Sequence, residues 1–214
     1  MNVEPSPGGP LTEREEFAQT FLALGEHAPT ILPGWDAADL LEHLLLREGA
    51  PELILGQRLP GPLGAAARQR IEDLRALPWP ARVEKFRAGP GRFSIAGRVD
   101  GLTGQAELLI HHEDLRRAQD GHDVRALDRE RTAAAWRAVG CMAPVVMRVP
   151  ADVTLISALG GRRFRARSSR GSLRVHGDPL ELLLWVSGRD EIARVRLHGD
   201  EGARRALAEG RRGL

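Results

Sequence analysis

At about Pro150 the chain changes its hydrophobic period, and no other feature narrows the fold as much. Before that point apolar residues recur three and four positions apart, as on amphipathic helices. After it, short alternating or β-branched runs lie between glycines, as in strands. The expected fold class is therefore multidomain α and α/β, with an all-helical part over 11–148 and a small mixed α/β part over 149–214. The 214 residues, 42% of them hydrophobic, are enough for cores of that size.

In the first part, Thr12 is placed to cap a helix whose Glu13, Glu15 and Glu16 favour its first turn. Phe17, Phe21, Leu22 and Leu24 give that helix its apolar side. Pro29 to Gly34 reads as a link, and a second helix starts near Asp36 with Leu40, His43, Leu44 and Arg47 at helical spacing. Pro51 predicts a kink or a reset ending near Gly56. A third helix is expected over 64–76, then a Pro78-Trp79-Pro80 corner and a short helix over 81–88. Gly89-Pro90-Gly91 and Gly97 interrupt the periodicity. Thr103, Ala106, Glu107, Ile110, His111 and Asp114 then lie along one face of a long helix reaching about Ala118, and another helix is expected over 129–139. In the second part, strands are expected at 153–156, 163–168, 173–176 and 193–198. A buried helix, Pro179 to Val186, is started by Asp178 and ended by Gly188.

Composition sets aside several functions. Acidic and basic residues are interspersed, the formal net charge is only +2, and no nucleic-acid-binding module is visible, so no specific nucleic-acid partner is expected. The high isoelectric point reflects arginine standing in for lysine; Lys85 is the only lysine. As a strand, the run Arg162 to Arg167 places Arg163, Arg165 and Arg167 on one face, read as solvated. Cys141 is the single cysteine, so no intrachain disulfide forms, in agreement with a reducing cytoplasm. It lacks a recognisable Cys/His context and reads as small buried packing. The first residues lack the basic start and apolar run of a secretion signal, and no apolar stretch is long enough for a membrane span, so a cytoplasmic protein is expected.

The chemistry concentrates in Glu107-Leu108-Leu109-Ile110-His111-His112-Glu113-Asp114. Glu107 and His111 stand one helical turn apart on one face, a spacing that presents a carboxylate oxygen and an imidazole nitrogen to one metal ion. His43 sits within the apolar stripe of the second helix. Together they suggest a His43/Glu107/His111 site between bundle helices, with three protein ligands and an open position, as in catalytic centres. The expected ion is Zn(II); Ni(II), Co(II), Mn(II) and Fe(II) use the same donors. On spacing alone, Glu107 and His111 equally fit a hydrogen-bonded surface pair, and His43 a satisfied core histidine. Asp114, three residues beyond His111, is placed to orient an imidazole or, equally, to pair with a nearby Arg; His112 reads first as a core hydrogen-bonding histidine, with a supporting or pocket role as the alternative. His112 projects about one hundred degrees around the helix from His111. Arg47 is one turn beyond His43, where it could hold a carboxylate; Arg116 and Arg117 read as solvent-facing.

Two segments carry a more specific resemblance: Gly34-Trp35-Asp36-Ala37-Ala38-Asp39-Leu40-Leu41-Glu42-His43, and Glu107 to His112 with Glu113-Asp114-Leu115-Arg116-Arg117. With near-full-chain likeness, down to Gly188-Arg189, the sequence resembles the maleylpyruvate isomerase family of mycothiol-dependent, DinB-like metal-binding proteins. The resemblance implies a DinB-like four-helix bundle followed by a small α/β domain. It also implies divalent metal held by His43, Glu107 and His111, with mycothiol as thiol cosubstrate. The implied activity is isomerisation or thiol transfer on a small electrophilic substrate, carboxylated in the case that names the family. Metal-dependent hydrolysis is the alternative chemistry, and a non-catalytic metal- or nucleic-acid-binding protein is the alternative class.

Overall fold

The computed structural model describes residues 11–90 and 103–213, the side chains of the second segment from Gly104 onward. Gly91 and Gly97, read above as interruptions, lie outside the described residues, as do the first ten residues and the side chain of Thr103. Five helices come first: α1 Glu13–Leu24, α2 Ala37–Gly49, α3 Pro51–Gly56, α4 Gly61–Arg75 and α5 Trp79–Arg87. Next come α6 Thr103–Arg116 and α7 Arg129–Val146, then strands β1 Asp152–Ser157, β2 Gly160–Phe164 and β3 Ser172–His176. Helix α8 Pro179–Val186, strand β4 Arg196–Gly199 and helix α9 Glu201–Glu209 follow. A helical part is thus followed by a small α/β part.

By internal contacts the chain forms two compact units. One contains α1 to α5 with the segment His111–His122; the other contains the first half of α6, up to Ile110, and everything from Asp123 onward. Helix α6 is continuous through that boundary.

In the first unit, helix starts follow capping chemistry. Thr12 N donates to Glu15 Oε2 (3.0 Å) while Thr12 Oγ1 accepts from Glu15 N (3.3 Å). Asp36 Oδ1 accepts from the N–H groups of Ala38 and Asp39, and Asp39 Oδ2 accepts from Asp36 N. Each reciprocal pair satisfies backbone donors that a helix start leaves open. The core between α1 and α5 is aromatic: Phe17 and Phe21 stack at 4.5 Å, and Phe86 meets both edge-on. Ala50, at φ −155° and ψ 57°, breaks the α2 path, and Pro51 restarts it as the first residue of α3, so the reset at Pro51 is real. Arg14 forks onto both oxygens of Glu48, linking α1 to α2.

In the second unit the strand order is β2-β1-β3-β4. β1 and β2 are antiparallel, β1 and β3 parallel, β3 and β4 antiparallel. One sheet face buries Val153, Leu155, Leu173 and Val175 in a core shared with Leu182 and Trp185 of α8, Ala135 and Val139 of α7 and Leu109 of α6. Helix α8 is buried on all sides, which its run of leucines requires.

The last strand is Arg196–Gly199 rather than 193–198, the helix expected over 81–88 already starts at Trp79 inside the expected corner, and three further expectations shift. Helix α7 continues past Gly140 to Val146 because Gly140 serves close approach rather than termination: a Cβ there would lie 2.2 Å from Arg162 Nη1. Arg162 in turn lies over Trp136, 4.8 Å from the ring centre. The second strand is Gly160–Phe164, not 163–168, because Ser157 pairs with Gly160 and the turn is only Ala158-Leu159. The third helix begins at Gly61 instead of residue 64, with Pro62 in its first turn, where a missing N–H costs nothing.

Candidate metal centre

The Asp36 cap sets the phase of α2, which turns Leu40, Leu41 and Leu44 into the core and leaves His43 half-buried beside them. The His43 ring lies 5.4 Å from that of Trp35 and 5.4 Å from that of His111, the two imidazoles being nearly perpendicular at 71°. Two of the three expected ligands therefore meet across α2 and α6. Burial, with His111 and Arg47 nearby, pulls the His43 pKa from 6.5 down to about 4. His43 is consequently a neutral imidazole at physiological pH, the form that donates a lone pair.

His111 is fixed by its own helix. Its Nδ1 lies 2.9 Å from Asp114 Oδ2, and the Asp114 side chain is fully buried. When Nδ1 carries the proton and donates to Asp114, Nε2 presents its lone pair, the usual arrangement for a ligating histidine. The backbone carbonyl of Asp114 accepts from Ile31 N (2.9 Å), tying the Pro29–Gly34 link to α6. Glu107 is half-buried one turn before His111 on the same helix. Among the described residues no three His, Cys, Asp or Glu side chains converge as a ready metal-binding group. What the structure brings together is the His43–His111 pair with Asp114 behind it. That pair fits a divalent ion by donor chemistry: one imidazole is held neutral and the other is oriented by a carboxylate.

His112 faces elsewhere. It is 2% exposed, with Nδ1 2.7 Å from Glu13 Oε1, Nε2 2.8 Å from Thr20 Oγ1, and its ring stacked on Phe17 at 4.6 Å. Those contacts make it a satisfied core histidine that joins α6 to α1. Glu42 is held by Arg75 of α4 through both carboxylate oxygens, so its adjacency to His43 has no part in the site.

Two sequence readings are overturned. Arg117 is buried, not solvent-facing: its Nε donates to Glu113 Oε2 at 2.5 Å, with both side chains fully inaccessible. Arg116 Nη1 donates to the other Glu113 oxygen at 2.9 Å. Cys141 is exposed rather than packed in a core. The Glu13 and Thr20 partners of His112 escaped sequence reasoning, since nothing local links residues nearly a hundred positions apart. The Glu113–Arg117 pair was detectable from its i,i+4 spacing of opposite charges.

The His43 environment makes a direct prediction for the metal-free protein. Its imidazole should titrate near pH 4, read by the pH dependence of its ring resonances. Between pH 6.5 and 4 the unfolded chain binds this proton and the folded chain does not. Stability contributed by neutral His43 is therefore complete above pH 6.5 and falls as the solution is acidified toward 4. A midpoint at 6 or above would show that the ring is not desolvated as described.

The chain is similar to solved structures of mycothiol-dependent maleylpyruvate isomerase. One, of the enzyme itself, matches over 89% of each chain at 14% sequence identity and a TM-score of 0.48. A second, of a histidine-to-alanine mutant of that enzyme, matches over 89% of each chain at 13% identity and the same TM-score. No protein-family model matches the chain, and no curated protein matches it in sequence. Among the described residues no helix is long and apolar enough to cross a membrane.

Proposed function

We propose that this chain is a metal-dependent enzyme that uses a low-molecular-weight thiol, mycothiol in the first instance, to isomerise or transfer to a small electrophilic substrate. The observation that carries the proposal is the His43–His111 imidazole pair, one ring held neutral and the other backed by Asp114. Support also comes from the two sequence segments that resemble the maleylpyruvate isomerase family, both of which bear these residues. On this reading the helices of the first unit form a DinB-like bundle, and His43, His111 and Glu107 hold one divalent ion, Zn(II) by the donor set. When bound, such an ion favours thiolate over thiol and polarises a substrate oxygen.

The chain's own residues do the rest. His43 supplies a neutral nitrogen, and the His111 ring faces it with 5.4 Å between ring centres. Asp114 keeps the His111 ring from rotating. Glu107 contributes a negative charge that offsets part of the ion's. Trp35, 38% exposed and against His43, gives an apolar wall beside the imidazoles. Arg47, one turn beyond His43, adds positive charge near that imidazole.

The test is a matched panel. Metal-loaded protein is assayed for isomerisation, thiol-adduct formation and hydrolysis of unsaturated carboxylated electrophiles, with mycothiol, with another low-molecular-weight thiol and with none. Turnover is expected only with thiol, highest with mycothiol, and lost when the metal is removed. Hydrolysis without thiol that disappears in His43→Ala would overturn the reaction class. Tight, sequence-selective nucleic-acid binding at physiological salt, with no turnover under any condition, would replace the enzyme reading altogether.

A further inference from the structure

The outer face of the four-stranded sheet is strongly cationic, and its register arranges the charges in rows. Pairing places Arg163, Thr154, Arg174 and His198 side by side across β2, β1, β3 and β4. It places Gly161, Ile156, His176 and Arg196 in the next row. Side chains two apart on a strand share a face, so Leu173 and Val175 turn inward while Arg174 and His176 turn outward.

On the β3–β4 ribbon these rows make a compact square: Arg174 opposite His198, and His176 opposite Arg196. Directly opposed residues have Cβ atoms roughly 5 Å apart and diagonal neighbours about 7–8 Å, so four long side chains can reach one small group. The two imidazoles are already together, 5.4 Å apart and perpendicular. Arg174, Arg196 and His198 are exposed.

The nearby carboxylates are committed elsewhere. Asp152 accepts from Arg163 Nη2 (3.0 Å) and Ala166 N (3.2 Å). Asp200 accepts from Ser172 N (2.9 Å) and Ala203 N (2.7 Å). Among the described residues neither Arg174 nor Arg196 has an ion-pair partner.

We propose that the Arg174, His176, Arg196 and His198 square is a binding site for a phosphate monoester group. Two guanidinium forks and two imidazole N–H groups offer more donors than the two non-bridging oxygens of a diester can accept. The three terminal oxygens and double charge of a monoester match them better. No phenylalanine, tyrosine or tryptophan lies in either row, so the face lacks the stacking surface on which single-stranded nucleic acids are held.

The experiment titrates the full-length protein at fixed ionic strength with inorganic phosphate, methyl phosphate and dimethyl phosphate, following the ring resonances of His176 and His198. A fourth titration uses a 5′-phosphorylated trinucleotide. Saturable shifts of both rings are expected with inorganic and methyl phosphate. The double variant Arg174→Gln/Arg196→Gln should weaken them at least tenfold. His198→Gln should weaken them at the remaining ring, without changing thermal stability, since these are surface positions. Tighter binding of the trinucleotide than of methyl phosphate would assign the phosphate to a nucleic-acid end; equal or weaker binding would assign it to a small metabolite. Dimethyl phosphate binding as well as methyl phosphate, or undiminished affinity in the double arginine variant, would overturn the site, as would the absence of saturable shifts. None of these readouts depends on the metal or on turnover.

Discussion

Glu113→Ala is expected to lower folding stability by about 3–5 kcal/mol, the typical result of removing one partner from a buried ion pair. Glu113 and Arg117 have no accessible side-chain surface, and a short N–H···O contact joins Glu113, in the last turn of α6, to Arg117 just beyond it. Deleting the carboxylate removes an opposite charge from beside a fully buried guanidinium. Arg116, partly exposed, loses its contact with the same carboxylate but can turn to water. The pair itself need not be stabilising. Desolvating two ions costs nearly what their attraction returns, so Glu113→Met/Arg117→Met should recover much of the loss. Denaturant unfolding of the wild type, Glu113→Ala and the double variant measures both effects. A Glu113→Ala loss below about 1 kcal/mol would mean that water reaches Arg117 and that the pair behaves like a surface one.

Legibility of the fold from sequence followed the range of the interactions. Helix starts at Thr12 and Asp36 were readable because a cap is decided within four residues. The change of period at Pro150 was readable because alternation is a local pattern. The run of α7 beyond Val139 was not legible in its own segment, where the Arg162 side chain from β2 occupies the space a Cβ at Gly140 would need. The grouping of α7 with the sheet is likewise invisible in its own pattern, which is an ordinary amphipathic helix. At the candidate site, the Glu107/His111/Asp114 spacing defined one helix face, but only the structure shows His43 reaching that face. For His112 the helical angle was enough to set it apart from His111, while its partners Glu13 and Thr20 were out of reach. About one hundred degrees of helix separates a ring facing His43 from a ring buried on Phe17.

That angular separation sets the most discriminating test of the proposed centre. Removing the His43 or the His111 imidazole should reduce divalent-metal affinity by more than about 100-fold, beyond what loss of a supporting hydrogen bond causes. Asp114→Asn should fall inside the roughly 10–100-fold range of such supporting groups, because its carboxylate contacts the His111 ring. Glu107→Gln should weaken affinity through lost charge compensation. His112→Ala should behave in the opposite way. It breaks contacts with Glu13 and Thr20 and the stack on Phe17, so it should cost on the order of 2–3 kcal/mol of stability while changing metal affinity only a few-fold. Competition with a chelator of known affinity, on protein purified without a histidine tag, gives the affinities; thermal unfolding of the metal-free variants gives the stabilities. The two measurements must separate. If His112→Ala lost metal as His111→Ala does, or if His111→Ala loaded normally, the imidazole pair across α2 and α6 would be a packing contact. If His43→Ala and His111→Ala both lose metal while folding normally, the half-buried neutral ring and the ring held by Asp114 act together as ligands of one ion.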